Sequence, residues 1–155
     1  TDDVEAAFAQ VGLCPAYVPP PPVDLDVALD NSQLTWTTSG NDNWIGQTIT
    51  SYDGEDAAQS GDITHDQETA LQTTLTGPGT LTFQWKVSSE ANYDFLKFYI
   101  DGNQQASRSG NLDWEAQSYD IPSGSHTVQW KYIKDGSVDR SQDAGWVDRI
   151  QWSGN

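Results

Sequence analysis

The stretch Ala144-Gly145-Trp146-Val147-Asp148-Arg149-Ile150-Gln151-Trp152, close to the end of the 155-residue chain, reads as a β-strand. Successive side chains of a strand point to opposite faces, so the spacing predicts that Trp146, Ile150 and Trp152 face a core and that Asp148 faces it with them. Burying a carboxylate without a partner is costly. A bound Ca²⁺ inside an all-β sandwich is the simplest partner for Asp148.

The alternation of apolar and polar residues recurs along the chain and predicts the fold class. It runs through residues 23–29, 81–87, 96–100 and 128–132. Turn-forming residues stand at 77–79, 101–103 and 122–124. Half-buried strands at such spacing predict an antiparallel β-sandwich or jelly roll. The polar segment 37–68 should then form long loops with short strands.

Composition divides the chain into three parts. Residues 2–13 have apolar residues at helical spacing, and residues 15–22 contain the sequence PAYVPPPP, which favours a stiff, extended linker. We interpret residues 1–14 as the last helix of a preceding domain, 15–22 as the linker and 23–155 as the β domain. Cys14 is the single cysteine, so it is either a free thiol or bridged to a cysteine outside this sequence.

The charge of the chain excludes several partners. There are 23 acidic and 7 basic residues, giving a net charge of −16. A polyanion such as nucleic acid is repelled, and cations are attracted. The sequence has no apolar run of about 18 residues, so we expect no membrane insertion. Seven Trp, six Tyr and four Phe are too many for a disordered acidic chain.

The motifs of common catalytic sites are missing from the sequence. The two histidines form no His-Glu-x-x-His pair, and there is no Gly-x-Ser-x-Gly sequence or phosphate-binding glycine loop. His126 alternates with Val128 and Trp130, which is typical of a structural histidine in a sheet. We expect a non-catalytic domain. A pair of catalytic carboxylates in the acidic loops is the alternative.

Calcium chemistry fits the acidic residues better, because Ca²⁺ takes six to eight oxygen ligands. Asp30 follows the first predicted strand, and Asp53 lies in the acidic loop that also holds Glu55 and Asp56. The first and last strands of a jelly roll can be neighbours, which would bring Asp30 close to Asp148. The alternative for any one of these acids except Asp148, whose predicted inward direction disfavours it, is a plain surface charge. The predicted ligands are Asp30, Asp53, Asp143 and Asp148.

The seven tryptophans fall into two groups. Four occupy strand positions that are predicted to point into the core, namely Trp85, Trp130, Trp146 and Trp152. The other three, Trp36, Trp44 and Trp114, lie at strand ends or in loops. Exposed aromatic rings beside polar side chains are a common way to hold a sugar ring. Trp44 and Trp114 are therefore candidate ligand-binding residues, although the same rings could cap the core.

Several runs together resemble a known family of modules. They are GPGTLTFQWKVSSEANYDFLKFYIDG at 77–102, DW at 113–114, HTVQWKYIKDGS at 126–137 and DAGWVD at 143–148. They are similar to β-jelly-roll modules of secreted bacterial proteins, in plan to the cleaved-adhesin domains of gingipains and more distantly to MAM domains. The resemblance covers about residues 26–152. It implies a Ca²⁺-stabilised sandwich and a role in adhesion or substrate attachment.

The resemblance also implies roles for single residues. Asp30 and Asp148 occupy the places of the two acids that hold the ion, and Asp53 with residues 59–61 matches the loop that covers it. MAM-like domains often have two adjacent acids near the end, whereas Arg149 follows Asp148 here. Asp143 or Asp53 is the expected replacement for the second carboxylate.

The opening sequence DDVEAAFAQVGLC at 2–14 resembles the C-terminal helix of thermolysin-like, vibriolysin-type metalloproteases. That resemblance implies an extracellular tail of a secreted zinc protease, with the partner of Cys14 in the catalytic domain. The predicted function is a non-catalytic accessory domain that binds a protein or polysaccharide substrate or a surface. The alternatives are a carbohydrate-binding module and a tail needed only for secretion or maturation.

Overall fold

The computed structural model describes residues 22–137 and 141–154, and nearly all of their regular structure is antiparallel β-sheet. The predicted all-β sandwich is therefore confirmed. The predictions for residues 1–14, for the linker up to residue 21 and for Cys14 lie outside the described residues. The elements are α1 Leu25–Ala28, β1 Thr37–Gly40, β2 Ile45–Gln47, β3 Ala57–Gln59, β4 Glu68–Ser88, β5 Phe95–Ile100, β6 Asn103–Arg108, β7 Asn111–Ile133 and β8 Ala144–Trp152.

Two long strands, β4 and β7, take part in both layers of the sandwich. Residues 68–77 of β4 pair with β1 on one side and with residues 124–133 of β7 on the other, and β5 and β6 follow. We call this layer sheet I. Residues 79–88 of β4 pair with residues 111–121 of β7 and with β8, and β3 and β2 follow. We call this layer sheet II.

The core lies between the two sheets. Phe83 of sheet II contacts Phe98 and Trp130 of sheet I, with ring centroids 4.9 and 5.2 Å apart. Leu81, Phe83, Trp85 and Val87 are all buried, as their alternation predicts, and so are Val128, Trp130 and Tyr132. Of the four tryptophans predicted in the core, Trp85 and Trp130 are buried there, and Trp152 packs against its edge. Trp146 is buried too, but it pairs with Lys86 on the outer face of sheet II, so its predicted direction is wrong.

The structure corrects the sequence prediction at the turns of β4 and β7. Residues 77–79 and 122–124 were expected to separate strands, but both lie inside long strands. The pairing shifts register between Gly77 and Gly79, where β4 passes from one sheet to the other. A Cβ on Gly77 would lie 1.9 Å from the carbonyl oxygen of Pro122, so this crossing requires glycine. The third predicted turn, at Asp101 and Gly102, does connect β5 with β6.

The first predicted strand is wrong, because residues 25–28 form the helical turn α1. The amides of Ala28 and Leu29 donate to the carbonyls of Asp24 and Leu25, at 2.9 Å each. Leu25, Ala28 and Leu29 share one face of this turn at helical spacing and pack on the sandwich, whereas Val27 is 52% exposed.

No helix in the described part of the chain is long and apolar enough to span a bilayer.

The direction of Asp148 in β8 is also corrected. Val147 pairs with Trp85 on the core face, and Ile150 and Trp152 also pack into the core. Between them the pairing shifts register, and Arg149 adopts a left-handed φ of 54°. This bulge switches the strand between faces. Asp148 pairs with Gln84 and therefore lies on the outer face of sheet II, not in the core between the sheets.

Candidate functional site

Asp148 is fully buried although it lies on the outer face of sheet II, because the loop between β2 and β3 covers it. Its Oδ2 accepts hydrogen bonds from the backbone amides of Tyr52 at 2.8 Å and of Asp53 at 3.4 Å. Its Oδ1 accepts one from the amide of Arg149 at 2.7 Å. No salt bridge reaches this carboxylate within the described residues. Three backbone amides thus donate to this buried carboxylate.

Three further carboxylates meet Asp148, two from the same loop and one from the exposed Asp30. Asp30, Asp53 and Asp56 each place an oxygen so that all four lie within 4.8 Å of one another. We call these four residues the acid cluster. Oxygens bound to one Ca²⁺ at about 2.3–2.6 Å from the ion are at most about 5 Å apart. The acid cluster therefore has the size of one calcium shell.

One oxygen of the acid cluster has no hydrogen-bond partner among the residues that the structure describes. Asp56 is 8% exposed, and this oxygen is its buried Oδ1. A buried carboxylate oxygen without a donor or cation is costly. Asp53 is different, because its Oδ1 accepts from the amide of Glu55 at 2.9 Å and from that of Asp56 at 3.4 Å. The unpartnered Asp56 oxygen fits a site for a hard divalent cation.

The electrostatics of the acid cluster also favour an added positive charge. Burial, followed by the proximity of Asp53 and Asp148, raises the pKa of Asp30 to about 7. Burial is also the largest cause of the raised pKa values of Asp148 and Asp56, and the charge of Asp53 adds to both. Burial opposes ionisation of Asp53 as well, but backbone hydrogen bonds and the nearby Asp30 lower its pKa. Asp30, Asp56 and Asp148 thus resist ionisation, whereas Asp53 favours it.

Asp30 reaches the acid cluster through the end of α1. The carbonyl of Leu29 accepts from the amide of Ile150 at 2.9 Å, and the side-chain amide of Asn31 donates to the carbonyl of Ile150 at 3.3 Å. Asp30 lies between these two bonds with a left-handed φ of 59°. The expected proximity of Asp30 and Asp148 is present, although the segment before Asp30 is a helical turn and not a strand.

Asp143 is not part of the acid cluster, so this predicted ligand is corrected. Its Oδ1 accepts from the hydroxyl of Tyr132 at 2.6 Å, and its Oδ2 pairs with the ammonium of Lys134. That ammonium also lies 3.5 Å from Asp94, and Lys134 and Asp94 are fully buried. Asp94 belongs to a second group of acids with Glu90 and Asp135. Lys134 already supplies a positive charge there.

Asp56 takes the place expected for Asp143. The sequence prediction included Asp56 in the acidic loop but did not choose it as a ligand, because loop conformation decides which acid turns inward. The signal in the sequence was its position three residues after Asp53, which allows both side chains to reach one ion.

The two candidate aromatic residues have different environments. Trp44 is only 2% exposed, so the prediction that its ring forms an exposed platform is wrong. Trp114 is half-buried in β7, and its ring meets that of Tyr52 at a centroid distance of 6.0 Å and an angle of 73°. Tyr52 is 46% exposed. Sequence reasoning missed Tyr52, since only the fold brings it beside Trp114.

The comparisons with known proteins agree on the fold. No protein-family model matches the sequence, and no curated protein sequence is significantly similar to it. The K1 cleaved adhesin domain of Lys-gingipain from Porphyromonas gingivalis W83 has a TM-score of 0.58 and 18% identity over 77% of this chain and 90% of that domain. At this identity the likeness shows the fold, a β-sandwich.

Two other solved structures share this architecture. The secreted serine protease VesC from Vibrio cholerae has a TM-score of 0.55 and 17% identity over 72% of this chain. The match spans 24% of the VesC chain, about a quarter of its length. TmCBM61 in complex with β-1,4-galactotriose has a TM-score of 0.50 and 12% identity over 84% of this chain and 94% of its own.

Proposed function

We propose that this chain is a non-catalytic, calcium-stabilised accessory domain of a secreted bacterial hydrolase and that it binds a macromolecular substrate or surface. The observation that carries the proposal is the unpartnered, buried oxygen of Asp56 inside the acid cluster. Asp30, Asp53, Asp56 and Asp148 would hold the ion. Bound there, Ca²⁺ would supply the positive charge that the four carboxylates lack and would fix the loop 48–56 on sheet II.

The environment of His126 supports a non-catalytic role. Its Nδ1 lies 2.6 Å from Asp101, and its Nε2 lies 3.1 Å from the carbonyl of Ser123. Both ring nitrogens are therefore engaged by the protein, which leaves neither to act as a general base. Asp101 also accepts from the amide of Thr127, so the pair fixes the β5–β6 turn against β7.

The architecture of the neighbours supports an accessory role. One matching region is about a quarter of a secreted serine protease, and another is a cleaved adhesin domain. A stiff proline-rich linker would tether such a domain to a catalytic domain, and tethering raises the effective concentration of the enzyme at its substrate. The likeness of residues 2–14 to vibriolysin-type enzymes favours a zinc metalloprotease as the parent.

The calcium proposal is tested by thermal unfolding with and without the ion. A ligand at about 100 times its Kd adds about 2.7 kcal/mol to the free energy of unfolding. For a domain of this size, that energy raises Tm by roughly 5–10 °C. We expect a shift of this size between EDTA and saturating CaCl₂. MgCl₂ should have a smaller effect, because Mg²⁺ gives up its waters reluctantly.

The variant Asp56→Asn makes this test specific to the acid cluster. In EDTA it should unfold at the same or a higher temperature than the wild type, because one buried negative charge is gone. In CaCl₂ it should unfold at a lower temperature, because a ligand is lost. Asp62→Asn, at an exposed acid outside the cluster, should behave as the wild type in both buffers. An equal calcium response in Asp56→Asn and the wild type would contradict the proposed ligand set.

The accessory role is tested in the full-length parent enzyme. Deleting residues 23–155 should leave hydrolysis of a soluble substrate unchanged and lower hydrolysis of an insoluble one. The amount of secreted enzyme is measured separately. If the deletion reduces only secretion, the chain is a maturation tail and the accessory role is wrong.

A further inference from the structure

A polar cleft of about 370 Å³ lies on the outer face of sheet II, next to the acid cluster. Tyr52 forms one side. The strands beneath it contribute Thr82, Gln84, Gln117, Ser118 and Gln151. We call this cleft the Tyr52 groove. Arg149 and Gln151 line it and also line the neighbouring depression above Asp30 and Asp53, so the two sites are continuous.

The side chains beneath Tyr52 are neutral hydrogen-bonding groups. Gln117 is already bonded to Glu115 and Tyr119, but others have unused capacity. Gln84 and Ser118 make no side-chain hydrogen bond to any of the described residues. The Oε1 of Gln151 accepts from the hydroxyl of Thr82 at 3.3 Å, which leaves the amide group of Gln151 available as a donor. Amides and hydroxyls can both donate to and accept from the hydroxyl groups of a sugar. A small number of such groups in a cleft orients a ligand.

Tyr52 supplies the apolar surface that the groove needs. Its ring is 46% exposed and rests edge-on against Trp114. An aromatic ring with one apolar face and a polar tip can cover the C–H face of a sugar ring while its hydroxyl stays in water. The backbone amide of Tyr52 donates to Asp148 at 2.8 Å, so the position of this ring depends on a member of the acid cluster.

The charge of the surroundings selects against anionic ligands. The chain carries a net charge of −16, and the acid cluster lies at the end of the groove. Arg149 is the cation that lines the groove, and its charge acts on Asp53, whose pKa it lowers. An anionic chain would meet repulsion from the rest of the surface. A neutral polysaccharide would not.

We infer that the Tyr52 groove binds a neutral polysaccharide chain and that Asp148, through the amide of Tyr52, makes this binding depend on the cation of the acid cluster. The inference deepens the proposed function. Its cation dependence rests on the proposed calcium site, whereas the binding of a polysaccharide does not. Tyr52 would stack on a sugar ring, and Gln84, Ser118 and Gln151 would bond to its hydroxyls. Asp148 is a positioning residue, since it touches the loop and not the ligand.

The binding is tested by affinity gel electrophoresis in CaCl₂ with soluble laminarin, galactan, xylan and starch, and with alginate as the anionic polysaccharide. At least one neutral polysaccharide should retard the wild type, and alginate should not. Tyr52→Ala should weaken that binding at least tenfold and Gln84→Ala at least threefold. Tyr93→Ala removes a tyrosine that is more exposed than Tyr52, at 59%, and lies outside the groove, so it should leave binding unchanged. Circular dichroism checks that each variant is folded.

The dependence on the cation is tested by repeating the measurement in EDTA at a temperature where the protein remains folded. We expect at least a fivefold loss of binding, and MgCl₂ at the same ionic strength should restore less of the lost affinity than CaCl₂ does. Binding that is unchanged in EDTA would overturn the role given to Asp148.

Failure of the groove is separate from failure of the proposed function. If no neutral polysaccharide retards the protein, or if Tyr93→Ala weakens binding as much as Tyr52→Ala, the inference is overturned even when calcium still raises Tm. Retardation by alginate alone would also overturn it. Loss of casein binding in Tyr52→Ala, without any polysaccharide binding, would assign the groove to protein and reject the inference.

Discussion

At the scale of single residues, Lys134 is the most consequential charge in the described structure. Its ammonium is fully buried and pairs with Asp94 and Asp143. Burial raises the pKa of Asp94, and Lys134 opposes that shift, so removing the ammonium would leave buried carboxylates without their cation. Breaking one partner out of a buried ion pair is far more costly than losing an exposed pair.

Replacing Lys134 with Met should therefore lower the free energy of unfolding by about 3–5 kcal/mol, although the methionine retains much of the apolar stem. The matched control is Lys131→Met, which removes an ion pair with the half-exposed Glu68 and should cost at most about 1 kcal/mol. Urea unfolding measures both losses. If Lys134→Met does not fold, Lys134→Arg, which keeps the charge, is measured in its place. Equal losses for the two methionine variants would contradict this prediction.

The acid cluster shows which parts of a site a sequence can predict. A carboxylate between large apolar residues in a strand needs a partner, and this argument singled out Asp148, which lies in the acid cluster. The strand parity that supported it was wrong, since a bulge at Arg149 turns Asp148 to the outer face. A bulge depends on the pairing with β4, which the local sequence of β8 does not specify. The choice of Asp56 over Asp143 likewise depends on how loops fold over the sheet.

At the scale of elements, alternation predicted the long strands well and the first element badly. The runs at 81–87, 96–100 and 128–132 all lie inside strands, in β4, β5 and β7, and each is buried on one side as expected. The run at 23–29 also alternates, but Ala28 gives it a second pattern, because residues 25, 28 and 29 have helical spacing. Contacts of Leu25, Ala28 and Leu29 with the sandwich decide in favour of the helix.

Sheet spacing leads to a prediction at the same scale. Gly145 of β8 faces Leu96 of β5 across the sandwich, and a Cβ on Gly145 would lie 2.9 Å from a methyl carbon of Leu96. Gly145→Ala should therefore cost about 1–3 kcal/mol through overpacking. Leu96→Val alone should cost about 1 kcal/mol, because it leaves a small void.

The double variant Gly145→Ala/Leu96→Val should be more stable than the sum of the two single losses predicts, by at least 0.5 kcal/mol. In the control cycle, Leu75→Val takes the place of Leu96→Val. Leu75 is equally buried, but it lies in the part of β4 that belongs to sheet I, where it pairs with His126. That control cycle should be additive. Urea unfolding of the six proteins gives both coupling energies, and an additive first cycle would show that Leu96 is not the limiting contact.

At the scale of the whole molecule, the net charge of −16 acts on the folded state even away from the acid cluster. Like charges on a compact surface repel, and added salt screens that repulsion over about 10 Å at 0.1 M. In EDTA, Tm should therefore rise by several degrees between 10 mM and 500 mM NaCl, and KCl should give the same curve. A rise seen only with calcium would indicate that the ion site, not general repulsion, limits stability.

The triple variant Asp24→Asn/Asp62→Asn/Asp66→Asn separates the two causes. All three acids are exposed and lie outside the acid cluster. Replacing them with Asn lowers the net negative charge by three units. In EDTA at low salt this variant should unfold at a higher temperature than the wild type, and its Tm should rise less steeply with NaCl, because less repulsion remains to be screened. Its shift on adding CaCl₂ should equal that of the wild type, since Asp30, Asp53, Asp56 and Asp148 are intact. A salt response as steep as that of the wild type would mean that the distributed surface charge does not govern the stability of the sandwich.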